Sequence, residues 1–226
     1  MRLLELTGSI ADFHARPIPD DLPEAEAWSY RPPGRGLVLG SAQQESIADL
    51  AAAERAGIAV AKRRSGGGAV YVDPARCVWV DVVLPPHDER WSDDVREATY
   101  WLGEAWQRAL ASLGIDTRLY RGGLEQTPWG RLVCFAALGP GEVLVGDRKL
   151  VGISQRRTRA GARFQCIAYD RWDAHDVLDL LDLSDADRTA AAADLATRAT
   201  GVGDHLDALR AAIVAELLGS GRTPVE

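Results

Sequence analysis

Apolar positions along the chain fall into two periods. Residues 36–40, 58–61, 70–72 and 78–84 form short apolar runs bounded by Gly, Pro or charged residues, and these predict strands. Further strands are expected over 115–120, 133–136, 142–145, 149–155 and 162–169, with Gly146-Asp147 as a tight hairpin turn. The longest helical pattern covers 93–113, where Val95, Ala98, Trp101, Leu102, Ala105, Trp106, Ala109 and Leu110 make a broad stripe between a Ser92-Asp93 start and a Gly114 stop. Trp101 and Trp106 read as core residues. A shorter, alanine-rich helix is expected over 47–56, and the end of the chain turns helical over 175–183, 185–198 and 204–218, with a frayed end at 219–226. Residues 1–36 give no regular pattern, because Asp20, Asp21, Pro23, Pro32, Pro33 and Gly34 interrupt it. Many strands with short connections, one long helix and terminal helices indicate an α+β class with a mixed, mostly antiparallel sheet and packed helices.

Length and composition narrow the function more than the fold. A chain of 226 residues suffices for one large domain with a substantial core. A net charge of −7 argues against general nucleic-acid binding. The basic residues are nonetheless clustered. Arg148, Lys149, Arg156, Arg157, Arg159 and Arg163 fall within sixteen residues, which suggests either an anionic ligand or acidic partner, or an exposed charged hairpin. Cys77, Cys134 and Cys166 show no paired spacing and no zinc pattern, as expected of reduced thiols in a cytoplasmic protein. The N-terminus is too short and charged for a signal peptide, and no apolar run approaches a membrane span.

Two stretches carry the chemistry. In Lys62-Arg63-Arg64-Ser65-Gly66-Gly67-Gly68-Ala69-Val70-Tyr71 a basic strand end enters three glycines and then an apolar strand. Such a loop takes positive φ or admits a ligand close to the backbone, and bare N–H groups beside Lys and Arg suit a phosphate or carboxylate. The plainer reading is a hairpin turn with a solvated basic shoulder. About eighty residues later, Gly146-Asp147-Arg148-Lys149-Leu150-Val151-Gly152-Ile153-Ser154-Gln155-Arg156-Arg157 sets a lysine on a short apolar strand after a turn. In this order and spacing the two stretches resemble the catalytic domain of the biotin/lipoate protein ligase family. The likeness is greatest to its lipoate–protein ligase and octanoyltransferase branch, and it covers roughly 37–169.

That resemblance implies a mixed sheet with helices outside, and an enzyme that transfers an octanoyl or lipoyl group to the lysine of a lipoyl carrier domain (an E2 or glycine-cleavage H-type protein). It implies that Lys149 meets an acyl carbonyl or adenylate phosphate, and that Arg63, Ser65, Gly66, Gly67, Gly68, Ala69, Val70 and Tyr71 line the pocket. Gln43, Ile153 and Ser154 become candidate contacts, with Gly152 leaving room for the acyl tail. Gln43 is otherwise a polar residue at a helix start, and Lys149 a solvated hairpin lysine. Val133-Cys134-Phe135 resembles the loop in which ligase-like octanoyltransferases carry a nucleophilic cysteine; a thiolate near a lysine ammonium exchanges acyl groups between thioesters without ATP. The donor would then be acyl-carrier protein. In the ligase alternative ATP and Mg2+ with free acid form an adenylate on Lys149, and Cys134 is incidental or a small core residue. The chain has Val72-Asp73, Gln165-Cys166 and Ser41 where relatives carry His-Asp, His-Gly and arginine. These departures motivate a further reading, a non-catalytic module that binds acyl-adenylate, nucleotide or the carrier. No metal site is expected. The helical tail over 174–218 is too short for the accessory domain of full ligases, and an acidic carrier surface is expected to dock on Arg156, Arg157, Arg159 and Arg163.

Overall fold

The computed structural model describes residues 1–219; from residue 220 on, the frayed end expected at 219–226 lies outside the described residues. Element order is β1 (Arg2–Leu6), α1 (Ile10–Ala15), β2 (Glu26–Tyr30), β3 (Gly36–Leu39), α2 (Leu50–Arg55), β4 (Ala59–Lys62), β5 (Val70–Val72), β6 (Cys77–Leu84), α3 (Tyr100–Ala111), β7 (Arg118–Leu119), β8 (Val143–Val145), β9 (Arg148–Thr158), β10 (Gly161–Tyr169), α4 (His175–Leu178), α5 (Asp185–Leu195) and α6 (Leu206–Gly219). The larger sheet runs β1-β2-β6-β10-β9-β8-β7, with β1–β2 parallel and the other ladders antiparallel. A smaller sheet runs β4-β3-β5, with β3 parallel to β4 and antiparallel to β5.

β6 explains the layering. It is buried at every position, and a strand covered on both faces reads as a continuous apolar run. Val78, Val80, Val82 and Leu84 pack with Trp106 and Leu110 of α3 and with Leu209 and Ile213 of α6. Cys77, Trp79 and Val83 leave by the other face and meet Phe13 of α1, Tyr30 of β2 and Val38 and Val70 of the small sheet. Beyond the small sheet, Leu37 and Leu39 pack against Val177, Leu178, Ala191 and Leu195 of α4 and α5. The α+β class with a mixed, mostly antiparallel sheet is therefore as the sequence indicates.

Several boundaries differ, each for a local reason. The helix expected from residue 93 starts as a 3-10 turn at Glu97–Thr99. Before it, Asp94 Oδ1 captures the backbone by accepting from Arg96 N at 2.7 Å, and Asp93 Oδ1 accepts from the indole Nε1 of Trp91 at 2.9 Å. Val95 consequently leaves the apolar stripe and is 55% exposed. Trp106 is fully buried, whereas Trp101 is half-buried, with Arg90 over its ring at 5.3 Å. The strand expected over 133–136 is a single bridge, Ala69 to Val133, after which Cys134–Ala136 curls into a 3-10 turn. The strand expected over 115–120 shrinks to Arg118–Leu119 at the sheet edge. The helix expected over 47–56 is interrupted where Ala48 bridges Leu181, and α2 begins only after Asp49, whose side chain caps Ala52 N at 2.8 Å. Residues 1–36, unreadable in the sequence, supply β1, α1 and β2.

Candidate active site

β4 ends at Lys62 and the chain turns at once into the interior. Arg63 is only 2% exposed, and its ion-pair partners among the described residues are none: its guanidinium donates to Ser65 Oγ (3.1 Å) and to the carbonyls of Val38 (3.2 Å), Gly66 (2.7 Å) and Gly68 (2.9 Å). Burial lowers its pKa, while the neighbouring Cys134 and Tyr169 oppose that shift. Turning the loop carbonyls onto Arg63 leaves the N–H groups of Gly66, Gly67 and Gly68 without a hydrogen-bond partner among the described residues.

Gly67 and Gly68 are required by close approach, whereas a Cβ on Gly66 would meet nothing within 4 Å. Gly67 has φ +95°, and a Cβ on it would stand 2.9 Å from Arg63 Nη2 and 3.6 Å from Cys134 Sγ. A Cβ on Gly68 would strike the backbone of Val133 and Cys134 at 2.6–2.7 Å. The loop is thus pressed onto the segment that carries the cysteine, held there by Ala69 N to Leu132 O (2.8 Å) and Cys134 N to Ala69 O (3.0 Å).

Lys149 approaches the same segment from below. The two-residue turn Gly146-Asp147, with φ +57° at Gly146, returns β8 into β9 and places Lys149 opposite Leu144. Lys149 is 3% exposed. Its ammonium donates to Glu142 Oε1 (2.9 Å) and to the backbone carbonyl of Cys134 (2.9 Å), stands 2.8 Å from Glu142 Oε2, and lies 5.1 Å from the centre of the Phe135 ring. Glu142 also accepts from the N–H groups of Gly139 (2.7 Å) and Ile153 (3.2 Å). Burial pushes the Glu142 carboxyl upward, opposed by Lys149 and by those two N–H groups.

Gly66, Gly67, Gly68, Cys134, Lys149, Ile153 and Ser154 meet around one cavity of about 420 Å3, with Val95 and Leu124 as exposed apolar residues at its wall. Half-buried Cys134 presents its thiol there. Cys77 and Cys166 are core residues, with burial pushing the first up to about 12 and the second higher still.

The other candidates lie elsewhere. Arg63 stands behind the loop rather than in the cavity wall. Ala69 and Val70 are buried in the core, and Tyr71 faces a small crevice with Tyr169 and Trp172, its carbonyl accepting from Tyr169 Oη at 2.6 Å. Gln43 is a staple: it accepts from Gly40 N (2.8 Å) and donates to the carbonyls of Arg131 (2.9 Å) and Leu132 (3.0 Å). Gly152 makes room for protein, not for an acyl tail, because a Cβ there would lie 3.1 Å from the Phe135 ring. The Lys149 ammonium is bonded to the carbonyl of Cys134 and paired with Glu142. The docking arginines do not form one exposed face: Arg156, Arg159 and Arg163 line one cleft and Arg157 does not. Arg163 is buried against Asp81 (2.6 Å), and Arg157 lies 4.8 Å over Trp91 and donates to Ser92 O (2.6 Å).

Sequence reasoning passed over Glu142 as a site residue; its signal was opposite charges flanking one hairpin turn. It also passed over a buried chain of polar groups behind the loop. Ser154 Oγ lies 3.0 Å from Ser65 Oγ, which donates to Gln165 Oε1 (2.8 Å); Gln165 Nε2 donates to Asp81 Oδ2 (3.0 Å) and lies 3.2 Å from His14 Nδ1. Arg163 pairs with Asp81 and donates to the carbonyls of Phe13 (3.0 Å) and Arg16 (2.8 Å). Gln165 occupies the position where a histidine was expected from the resemblance, so the chain's own histidine in this cluster is His14.

A mixed sheet that folds a triple-glycine loop over a buried lysine defines a catalytic domain of the biotin and lipoate ligase type. The chain belongs to the lipoyl protein ligase A/B catalytic domain family, whose model matches residues 28–218. The fold is similar to a chain from an archaeal lipoylation system, a bipartite lipoate protein ligase and its E2 lipoyl domain from Thermoplasma acidophilum (TM-score 0.72, 21% identity, covering 97% of this chain and 82% of that one). It is also similar to lipoate-protein ligase A bound with ATP (TM-score 0.67, 20% identity, 97% and 84% covered) and to P. falciparum LipL1 in complex with lipoate (TM-score 0.57, 16% identity, 88% and 48% covered). A search of curated protein sequences finds no match. Among the described residues no helix is long and apolar enough to cross a membrane, and no group of three or more His, Cys, Asp or Glu is placed to hold a metal ion.

Two measurements test this geometry. Arg63→Lys is expected to lower stability to urea by about 2–4 kcal/mol, because an ammonium cannot span the acceptors that a planar guanidinium meets; a midpoint unchanged from wild type would show that Arg63 does not hold the loop. His14 has its pKa held well below 6.5 by burial, and by Arg163 and Arg63 next. The unfolded chain therefore gains a proton near pH 6.5 that the native state refuses, and the stability contributed by neutral His14 is present above pH 6.5 and lost as pH falls, at up to about 1.4 kcal/mol per pH unit. His14→Asn keeps an acceptor for Gln165 and is expected to flatten that acid-side slope in urea titrations; an identical slope would count against a buried neutral His14.

Proposed function

We propose that the chain transfers an octanoyl or lipoyl group to the lysine of a lipoyl carrier domain. The observation that supports this best is the convergence of free glycine-loop N–H groups, the Cys134 thiol and the Lys149–Glu142 pair on one partly apolar cavity. In the reading we favour, the donor is an acyl thioester such as octanoyl-acyl-carrier protein. The Cys134 sulfur attacks the thioester carbonyl, the carbon–sulfur bond to the donor breaks, and the donor leaves as a thiol with the proton given up by Cys134. The carrier lysine amine then attacks the Cys134 thioester, forming the amide and returning the thiol. Both tetrahedral intermediates carry an oxyanion, and N–H groups fixed before the reaction stabilise such charge without reorganisation. Lys149 positions this machinery: it holds the Cys134 carbonyl, and so the loop that bears the thiol.

The same cavity supports an ATP-dependent reading, in which Lys149 and the glycine N–H groups meet the phosphate of an acyl-adenylate and Cys134 is a bystander. The relative solved with ATP belongs to that chemistry. Magnesium would have to be held chiefly by the nucleotide, since Glu142 is committed to Lys149. A carrier of the E2 lipoyl type is the partner by analogy with the Thermoplasma pair. A binding module without catalysis is favoured by two features: among the described residues no histidine lines the cavity, and Lys149 and Glu142 neutralise each other.

Intact-mass spectrometry separates these readings. With octanoyl-acyl-carrier protein, an octanoyl adduct is expected on the wild type and absent in Cys134→Ala, and it should pass to an added lipoyl domain. Modification of the lipoyl domain only with octanoate or lipoate plus ATP and magnesium, lost in Lys149→Ala but kept in Cys134→Ala, would replace the thioester route by the ligase. Neither adduct nor transfer, with ligand binding retained, would leave the binding module.

A further inference from the structure

The glycine loop has a second side. Across Ser65 lies a separate cleft of about 370 Å3, lined by Arg64, Arg156 and Arg159 and also by Arg16. Ser154 lines the Cys134 cavity and Ser65 this cleft, so the 3.0 Å Ser65–Ser154 contact is the wall between them. The floor is already saturated. Ser65 and Gln165 bond each other, and Arg163 is committed to Asp81 and to two carbonyls of the segment after Ile10.

The walls are not. The side chains of Arg64 and Arg159 make no hydrogen bond or ion pair among the described residues, and Arg156 makes a single bond, from Nη1 to the carbonyl of Arg64 at 3.2 Å. Arg16 lies 5.0 Å over the Trp28 ring. Asp20 is the one carboxylate residue in the lining, and it forms no ion pair with any of them. In a protein of net charge −7, carboxylates to neutralise such a group are abundant elsewhere on the surface. Guanidiniums gathered around one concavity repel one another, and an anion bound among them removes that repulsion while gaining charge-assisted hydrogen bonds. The site is concave and small, which suits a terminal anionic group better than the face of a folded partner.

We propose that this cleft is a binding site for the oxyanion end of a small ligand, a carboxylate or a phosphate, held by Arg64, Arg156 and Arg159. The assignment does not depend on acyl transfer at Cys134. It adds a second, charged compartment behind the loop, one that selects for a ligand carrying negative charge rather than for a bare hydrocarbon chain.

Calorimetric titration at low salt with inorganic pyrophosphate and with glutarate tests both sources of the anion. Single-site binding of at least one of them is expected. It should weaken about tenfold or more in the double variant Arg64→Gln/Arg159→Gln, and comparably in Arg156→Gln. Arg64 and Arg159 are exposed, so the double variant is expected to melt as wild type does. Binding should fall with added salt and persist in Lys149→Met, which separates this site from the neighbouring cavity. Whichever probe binds identifies the source. Neither probe binding, binding that survives the double variant, or binding lost in Lys149→Met would overturn the proposal. So would a result in which neither small anion binds while an acidic lipoyl domain loses affinity for the double variant, because the arginines would then form a protein-docking face. Loss of octanoyl transfer with anion binding intact would overturn the proposed reaction and leave this site standing.

Discussion

A guanidinium buried without a carboxylate shapes the site. Arg63 enters the interior at the end of β4, and its charge is met by dipoles alone: one hydroxyl and the carbonyls of Val38, Gly66 and Gly68. A buried cation left short of such partners would cost several kcal/mol, so the chain around it has little freedom. The loop must direct carbonyls inward, and its N–H groups are thereby left over. Glycine follows from the same constraint, because only residues without Cβ allow the loop to lie this close to Arg63 and to Val133-Cys134. An anion-ready backbone is here the by-product of solvating an arginine with the protein's own carbonyls.

The second consequence is mechanical. Arg63 also holds Ser65, and Ser65 opens the buried chain through Gln165 and Asp81 to Arg163, which grips the carbonyls of Phe13 and Arg16. Burial raises the Asp81 carboxyl, while Arg163 and the donors on Trp79 and Gln165 oppose that rise. Each member has its partner on a different element: small sheet, large sheet and the N-terminal helix. Such networks hold one arrangement when satisfied and lose much of their strength when one member is removed. The first thirty residues therefore matter to the glycine loop although none of them lines the Cys134 cavity.

This is also where the sequence was least legible. The triple glycine, the lysine strand and the fold class stood out because each is local: a composition, a turn, a period. The N-terminal segment did not, since β1 is a short edge strand, α1 spans less than two turns, and both are fixed by distant partners. The roles of Gln43 and Arg63 were misplaced for a related reason. Polar residues next to a conspicuous loop read as ligand contacts, yet burial gave them backbone to satisfy. Arg163 illustrates the limit of charge counting. Along the chain it belongs to a basic cluster, and Arg156, its partner across the ladder, shares its face of the sheet; Arg163 is nonetheless drawn into the interior by Asp81, whereas Arg156 has no carboxylate partner among the described residues and remains half-buried at the cleft.

Neutralisation of Lys149 bears on the chemistry in either reading. An ammonium held by both oxygens of Glu142 presents little net charge to the cavity, and its remaining value lies in position and in a directed donor. In either proposed reading, with Arg96 as the other cationic residue of the cavity wall, developing negative charge on a thioester or adenylate would be met by the N–H groups of the loop. Those groups are fixed dipoles and need no proton to be in place, so they act equally well across the neutral range. The proton to be accounted for is then the one the nucleophile carries. For a thiol attacking a thioester this is sufficient, because the leaving group is another thiol and the proton is exchanged between like acids. For a lysine amine attacking the enzyme thioester, the amine must arrive already deprotonated or lose its proton on the way, and among the described residues the one carboxylate in the cavity wall is Glu142, already bonded to Lys149 and two backbone N–H groups. If the proposed thioester route holds, its second half, not the formation of the acyl-enzyme, is thus the step for which this site supplies the least assistance.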